Sequence, residues 1–486
     1  MEVAFGTRSW TYGSKVGYPT AAPTFTSQPA EMMPRAPRYA EPGGPGHLLL
    51  HSHLPGVGVC SVHGREHVTK QDQQLLNHRD TPERGHGCHV SSQGTQSPVQ
   101  ATRSAMSVPL VCDYGSGCSK VGFSGREAPL AVFPTILGKL RHDDRPDPAG
   151  VFQNPLVGTE EEDWFIGDEA QSRREKLHMQ CPISRATVTS WDNMEKVWHH
   201  SFYQVLRIAP EQHPILITDP PLNTAPNKEK VLQILFETFN MPALYLANQG
   251  VLSLYASGLT SGTTIESGEG MTYFVPIVDG FSLPQSTMKM DTAGQDLTSY
   301  LLQLLSEKGH SLISTGDREY IRDVKEKCCY VALDFDEEQV KASLPSCTQK
   351  CQLPDGREIS LGPERFLCPE ALFHTDLIGR SSLGIHMRAF RSISSCSPAL
   401  WKVLFRHVLL SGGTGSCAGL RFRMQRELSA LVSPLINVKV SACPYSIYGA
   451  WVGGSILCSL STFNDMWITS TEYKDCGSSI VGRRSF

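Results

Sequence analysis

The sequence predicts an α/β fold made of two related halves, preceded by a first segment without regular structure. After about residue 108, short apolar runs alternate with longer amphipathic segments, which is typical of sheets covered by helices. A pattern of apolar run, acid and spaced glycines occurs at residues 110–117 and again at 264–270, which indicates an internal duplication. The chain has 486 residues, of which 40% are hydrophobic, so it can form sizeable cores.

Residues 1–106 are rich in proline, glycine, serine, threonine and glutamine and show no sustained apolar period. Such a segment cannot bury enough apolar surface to offset chain entropy, so we predict that it is disordered or an optional extension. Its scattered cysteines and histidines lack the spacing of a known zinc module, which favours compositional bias over a metal site. The globular domain is then expected to span residues 107–486.

Charge and cysteine usage exclude several classes of function. The net charge of -4 provides no broad cationic field, so we predict no direct nucleic-acid binding. The 15 cysteines have no regular framework spacing, which indicates reduced thiols in an intracellular protein, either cytosolic or nuclear. No apolar stretch approaches the length of a membrane span.

The order of elements follows from local patterns. Residues 109–113 and 120–123 predict a hairpin with a glycine tip, and the spacing of apolar residues predicts one helix over 191–206, capped by Ser190 or Asp192. The run 213–219 is typical of a strand buried on both faces. A helix over 228–239, a strand over 243–247 and a helix over 251–256 follow in alternation.

The glycine turns after the apolar runs predict a phosphate site. A strand that ends in a tight glycine turn directs backbone N–H groups into one small volume, where they can hold phosphate oxygens. Asp113 and Glu266 precede two such turns. Because an acid and a phosphate repel each other, this placement predicts a divalent cation between them. A third turn follows residues 408–411. Together they predict a nucleoside triphosphate with Mg²⁺ or Ca²⁺, the alternative being turns that only reverse the chain.

Several motifs give the chain a family resemblance. Leu-Val-Cys-Asp-Tyr-Gly-Ser-Gly at 110–117, Trp-His-His-Ser-Phe-Tyr at 198–203, Lys-Glu-Lys-Cys-Cys-Tyr at 325–330 and Trp-Val-Gly-Gly-Ser-Ile-Leu at 451–457 resemble actin. The resemblance suggests one of the divergent members, such as the actin-like proteins of male germ cells. The resemblance implies an actin-like ATPase fold, with two duplicated lobes and four subdomains around a cleft that holds ATP or ADP with Mg²⁺ or Ca²⁺.

The resemblance also implies the nucleotide contacts, residue by residue. The positions that match the phosphate loops and the region beside them are Gly115, Ser116, Gly117, Lys120, Gly268, Glu269, Gly270, Gly294, Gly412, Gly413 and Thr414. Arg322, Lys325 and Glu326 match the nucleoside contacts and share one helix face, although without the resemblance a solvated charge cluster would be favoured. Asp113 and Glu266 match the acids that hold the metal through water.

Departures from the family pattern concern hydrolysis and base binding. Gln249 matches the residue that positions the attacking water, but Glu266 replaces an aspartate and Tyr273 a histidine. Because phosphoryl transfer depends on positioning, we expect at most a weak ATPase. Cys417 replaces a tyrosine and Ile447 a lysine at the base end, which predicts weaker binding of the base.

The regions that match filament contacts have also changed. Between residues 142 and 167 the chain is longer and more acidic than actin, which predicts poor self-polymerisation. The acidic segment that docks myosin is absent, so the resemblance implies other actin-family or actin-binding partners and not myosin. We therefore expect a nucleotide-binding structural protein of the cytoplasmic cytoskeleton. The alternatives are a polymerising ATPase like actin and an actin-like subunit of a nuclear chromatin-remodelling complex.

Overall fold

The strands and helices alternate along the chain as the sequence predicts. A computed structural model describes residues 107–141, 164–310, 312, 315–342, 348–353 and 356–484. The predictions for residues 1–106 and for the acidic segment 142–163 lie outside these ranges.

The strands of the described residues are numbered in chain order. They are β1 (Leu110–Tyr114), β2 (Cys118–Phe123), β3 (Ala131–Pro134), β4 (Leu137–Leu140), β5 (Trp164–Ile166), β6 (Leu177–Gln180), β7 (Ile183–Ser184), β8 (Thr187–Val188), β9 (Ile215–Asp219), β10 (Ala243–Asn248), β11 (Gly262–Ser267), β12 (Thr272–Val278), β13 (Phe281–Ser282), β14 (Met288–Met290), β15 (Gln349–Gln352), β16 (Glu358–Leu361), β17 (Val408–Ser411), β18 (Val440–Ala442) and β19 (Ile468–Thr469).

The α-helices are numbered in the same way. They are α1 (Asp168–Ser172), α2 (Trp191–His199), α3 (Ala225–Glu237), α4 (Gln249–Ala256), α5 (Gly294–Glu307), α6 (Thr315–Cys328), α7 (Phe335–Ala342), α8 (Glu364–Glu370), α9 (Ile385–Ser394), α10 (Pro398–Arg406), α11 (Leu420–Leu431), α12 (Gly449–Cys458), α13 (Ser470–Cys476) and α14 (Val481–Arg484).

Two central sheets share one topology, and each defines a lobe. The first lobe contains the sheet β19-β10-β9-β1-β2-β3, and the second contains β13-β12-β11-β17-β18, with β14 also paired to β12. In the first sheet β1 is antiparallel to β2 and parallel to β9, which is parallel to β10. In the second sheet β11 is antiparallel to β12 and parallel to β17, which is parallel to β18. The duplication predicted from the glycine pattern is therefore present in the strand pairing.

Strand β1 reads as a continuous apolar run because both faces of its sheet are covered. Leu110 and Cys112 belong to the core beneath α2 and α3, whereas Val111 belongs to the core beneath α4 and α12. The smaller sheet β5-β4-β6 and the hairpin β7–β8 extend the first lobe, and the hairpin β15–β16 belongs to the second.

The predicted single helix over residues 191–206 is corrected by the structure. Helix α2 begins after Ser190, whose hydroxyl accepts from the N–H of Asn193, but a π-helix takes over at His200–Leu206. The Ser201 hydroxyl donates to the carbonyl oxygen of Val197, which an α-helical N–H at 201 would otherwise use. Apolar spacing could not reveal this change, because both helix types place the same residues near the core.

Helices α4 and α12 cross at very short distance. An added Cβ at Gly453 would lie 1.8 Å from the carbonyl oxygen of Leu252, so only glycine allows this approach. The indole of Trp451 on α12 donates to the carbonyl oxygen of Val111, 2.8 Å away. The crossing thereby fixes α12 against the central sheet of the first lobe.

Candidate functional site

A cavity of about 660 Å³ lies between the two lobes and is bounded by the glycine turns of both. The turns touch each other: a Cβ added to Gly117 would lie 3.0 Å from Cβ of Glu269, and one added to Gly270 would lie 2.7 Å from Oγ of Ser116. The two halves of the duplication, separated by about 150 residues in the chain, therefore meet at one place.

The two turns repeat the same local geometry. The Gly115 N–H donates to the carbonyl oxygen of Cys118 at 3.1 Å, and the Gly268 N–H donates to that of Met271, also at 3.1 Å. Within the described residues, the next two N–H groups of each turn have no intramolecular hydrogen-bond acceptor. Each turn therefore presents unpaired donors beside the cavity, which is the arrangement that binds phosphate oxygens in backbone nests.

The third glycine turn, between β17 and the following 3-10 helix, joins the same site. The Thr414 hydroxyl donates to the carbonyl oxygen of Gly268 at 2.8 Å. Gly412 has a φ of 83°, and a Cβ there would lie 2.3 Å from the carbonyl oxygen of Ser267, so a larger residue cannot occupy this position. Gly294 lies behind the wall, where its N–H also donates to the Gly268 carbonyl, at 3.0 Å.

Asp113 has a cationic partner within the chain, which corrects the argument that this acid makes sense only beside a metal ion. Lys120 lies 2.9 Å from one carboxylate oxygen, and the other accepts from Thr218 at 2.5 Å and from the Gln249 amide at 3.1 Å. Burial would lower the pKa of Lys120, but the Asp113 charge outweighs it and raises that pKa. The hairpin register places Asp113 directly opposite Lys120, so the pairing was readable from the sequence.

Glu266, the equivalent acid of the second half, is in a different state. Its side chain is half-buried, and Oε1, which is inaccessible to water, has no hydrogen-bond partner within the described part of the chain. Burial raises the pKa of Glu266 to about 7, although the Ser253 and Ser411 hydroxyls oppose the shift. Tyr273 stands opposite Glu266 across β11 and β12, and burial raises its pKa to about 12. The duplicated acids therefore differ in their partners: Asp113 is paired with Lys120, whereas Oε1 of Glu266 has no hydrogen-bond partner among the described residues.

Helix α6 forms the wall predicted for the nucleoside. Arg322, Lys325 and Glu326 all line the cavity. The Lys325 ammonium is buried and donates to the carbonyl oxygen of Gly294 and to the Thr298 hydroxyl, each at 2.9 Å. These bonds fix the position of the charge, since an ammonium without such acceptors would be costly to bury.

The residues at the predicted base end also reach the cavity. Ser416, Cys417 and Ile447 line it together with Ala418. Burial raises the pKa of the Cys417 thiol to about 12, so this group is neutral and presents sulfur where the family pattern has an aromatic ring. This end of the cavity offers neither an aromatic face nor a cation from these three positions.

Two ion pairs join the lobes. Arg185 donates to both carboxylate oxygens of Asp296, at 2.9 and 2.8 Å, and Arg174 lies 3.3 Å from Glu319. Arg185 occupies the two-residue turn between β7 and β8 with a φ of 49°, and its side chain reaches Asp296 of the second lobe. Sequence reasoning missed Arg185 and Arg174, because no local pattern marks a partner more than 100 residues away.

Seventeen of the predicted site residues line the cavity, and Gly294 is the exception. Residues that the sequence analysis did not assign to the site also line it, among them Thr218, Asp219 and Asn223. These three residues lie at or just after the carboxyl end of the buried strand β9. Because β9 is parallel to β1, the two strands end at the same edge of the sheet, and this pattern could have predicted the three residues. Within the residues that the structure describes, no helix is long and apolar enough to cross a membrane.

Comparison with protein families identifies the chain. The family model described as Actin matches residues 105–486, which is most of the sequence and includes all three glycine turns. This match agrees with the motifs, the duplicated sheets and the cleft between the lobes. The chain is a member of the actin family.

Proposed function

We propose that this actin-family protein binds ATP or ADP with a divalent cation between its lobes and serves as a structural protein of the cytoplasmic cytoskeleton. In this proposal it hydrolyses ATP weakly and polymerises poorly by itself. Its partners are other actin-family or actin-binding proteins.

The observation that carries the proposal is the meeting of two equivalent glycine turns with unpaired donors. Ser116 and Gly117 of the first turn and Glu269 and Gly270 of the second would donate backbone N–H groups to phosphate oxygens. The cavity volume of about 660 Å³ is in the range of small-molecule sites. A site with donors from both lobes favours a ligand that bridges them.

The acids at the phosphate end fit a hard divalent cation held through water. Among the described residues, no group of three or more histidine, cysteine or acidic side chains is placed so that it could hold a metal ion, and direct coordination by the protein is not proposed. Asp113 and the unpartnered Oε1 of Glu266 would instead orient the water shell. Such a cation supplies charge neutralisation for phosphate groups.

The opposite end of the cavity supports a loosely held base. Arg322, Lys325 and Glu326 would contact the nucleoside from α6, whereas Cys417 and Ile447 offer it neither ring stacking nor a charge. Loss of those two interactions reduces affinity by on the order of one to a few kcal/mol.

Weak hydrolysis is proposed from the state of the water-positioning groups. The Gln249 amide donates to Asp113 and, at 3.2 Å, to Thr218, so it is held in place. Glu266 is half protonated near neutral pH, and the raised pKa of Tyr273 prevents it from accepting a proton there. Replacing Glu266 by Asp together with Tyr273 by His should raise the turnover measured by phosphate release.

Isothermal titration calorimetry of the full chain with ATP tests the binding proposal. We expect binding in Mg²⁺ that weakens in excess chelator. Arg322→Ala should weaken it by about tenfold, because a charge-assisted contact is lost. Arg421→Ala, an exposed arginine on α11, is the matched control and should leave affinity unchanged.

Folded protein, verified by circular dichroism, that neither binds ATP nor releases nucleotide on acid extraction would overturn the binding proposal. Turnover of the unmodified protein at the rate of filamentous actin would instead favour the polymerising ATPase.

A further inference from the structure

Two cysteines that the nucleotide proposal does not use lie in direct contact. Cys328 is the last residue of α6, and Cys351 is on β15 of the second lobe. Their Sγ atoms are 3.0 Å apart, and no disulfide joins them. A contact this short between two thiols requires little movement before a bond can form.

The surroundings of this pair leave it open to a reagent. Both side chains are partly exposed, in contrast to the neighbouring Cys329 and Cys368, which are buried. Arg365 donates through Nε to the carbonyl oxygen of Cys328 at 3.0 Å. Burial and the contact with Cys328 raise the pKa of Cys351, and the Arg365 charge opposes this shift only in part. The pair therefore combines proximity with access to a reagent, both of which thiol–disulfide exchange requires.

We propose that Cys328 and Cys351 are a modification site that forms an intramolecular disulfide with a small disulfide oxidant. In the first step one protein thiolate attacks a sulfur of the oxidant, which releases one thiolate and leaves a mixed disulfide. The second protein thiol loses its proton and attacks the bonded protein sulfur, which releases the other half of the oxidant. Two protein thiols are oxidised, and one small disulfide is reduced to two thiols.

The surroundings of the two adjacent cysteines favour Cys328 over Cys329 as the thiol that reacts. A hydrogen bond with Cys368 and then burial raise the pKa of Cys329 strongly, so its thiol is both inaccessible and protonated. Burial and the contact with Cys328 raise the pKa of Cys351 to about 11. Oxidation should accordingly be slow at neutral pH and accelerate with pH as the thiolate fraction rises, by about tenfold per pH unit well below the pKa.

The disulfide would connect the nucleotide wall to the hairpin of the second lobe. Helix α6 carries Arg322 and Lys325 into the cavity and ends at Cys328, whereas β15 pairs only with β16 within the described residues. The inference does not require nucleotide binding, so it stands or fails independently of the proposed function.

Peptide mapping tests the site directly. The full chain is reduced, treated with glutathione disulfide, blocked with N-ethylmaleimide and digested with trypsin. Cleavage after Lys327, Lys341 and Lys350 separates the two cysteines into peptides 328–341 and 351–357, and it places Cys347 in a third peptide. We expect the first two peptides to be linked after oxidation and to separate on reduction.

Three single variants assign the link. Cys328→Ser and Cys351→Ser should each abolish it, whereas Cys329→Ser, which alters the other cysteine of the same peptide, should preserve it. The rate of linkage should rise between pH 7 and pH 9. Retention of the link in Cys328→Ser, a link through Cys347, or no link while the exposed Cys181 is fully converted to a mixed disulfide would each overturn the proposal.

Discussion

The carboxyl group of Glu266, whose Oε1 is buried without a partner among the described residues, makes stability depend on pH in a predictable direction. Its pKa is raised from 4.5 to about 7, mainly by burial. Between these values the folded protein keeps a proton that the unfolded chain releases, so stability is lost as pH rises through this window. The difference corresponds to roughly 3 kcal/mol, since each pKa unit is about 1.4 kcal/mol.

Replacing Glu266 by Gln removes the titration and keeps the shape of the side chain. We expect the melting temperature of the variant, relative to the unchanged protein, to increase by about 4 °C between pH 4.5 and 7.5, from the unfolding entropy of a domain of this size. Differential scanning fluorimetry without added divalent cation measures this difference. Glu266→Asp retains a buried carboxyl group and is the control, for which the difference should change little with pH.

A pH-independent difference between Glu266→Gln and the unchanged protein would refute the reasoning. It would mean that the carboxylate is hydrated or paired in the folded state, and the unpartnered Oε1 would then require another explanation.

Three further predictions follow from the packing and from the sequence. Gly453→Ala should destabilise the protein by about 3 kcal/mol in urea unfolding, because its Cβ would overlap a backbone oxygen, whereas Gly482→Ala, with open space around it, should be neutral. Deletion of residues 1–105 should leave the melting temperature within a few degrees, and a larger decrease would contradict the predicted disorder of that segment. The pure protein should not pellet as long filaments under conditions in which actin does, and replacing residues 143–166 by an actin-type loop should restore some assembly. Regular two-start filaments of the unchanged protein in electron micrographs would contradict this prediction.

The sequence predicted the features that depend on local pattern. Strands β1, β9, β11 and β17 are short buried runs, and three of them end in glycine turns, so both the strands and their common site could be inferred from the chain alone. The change from α-helix to π-helix at His200 was not predictable, because apolar spacing tolerates both. The pairing of Asp113 with Lys120 follows from the hairpin register, in which the two residues are directly opposite each other.

Contacts between distant segments were the other omission. Arg185 and Asp296 are 111 residues apart, and Cys328 and Cys351 lie on a helix end and a strand of different local pattern. Neither pair can be recognised in the sequence, because the tertiary structure brings these partners together and their separation along the chain follows no pattern. Burial has a similar effect on Glu266, whose charge state depends on the side chains that enclose it.

The two ion pairs that join the lobes affect the rate at which a ligand enters and leaves the cleft. Any separation of the lobes breaks the ion pairs between Arg185 and Asp296 and between Arg174 and Glu319. The four side chains are at most 35% exposed. Each opening must rehydrate these four charges, so the pairs contribute to the barrier for ligand entry and release without touching the ligand. Because added salt screens separated charges and compensates for their lost partners, exchange through the cleft should accelerate with ionic strength even where equilibrium affinity changes little.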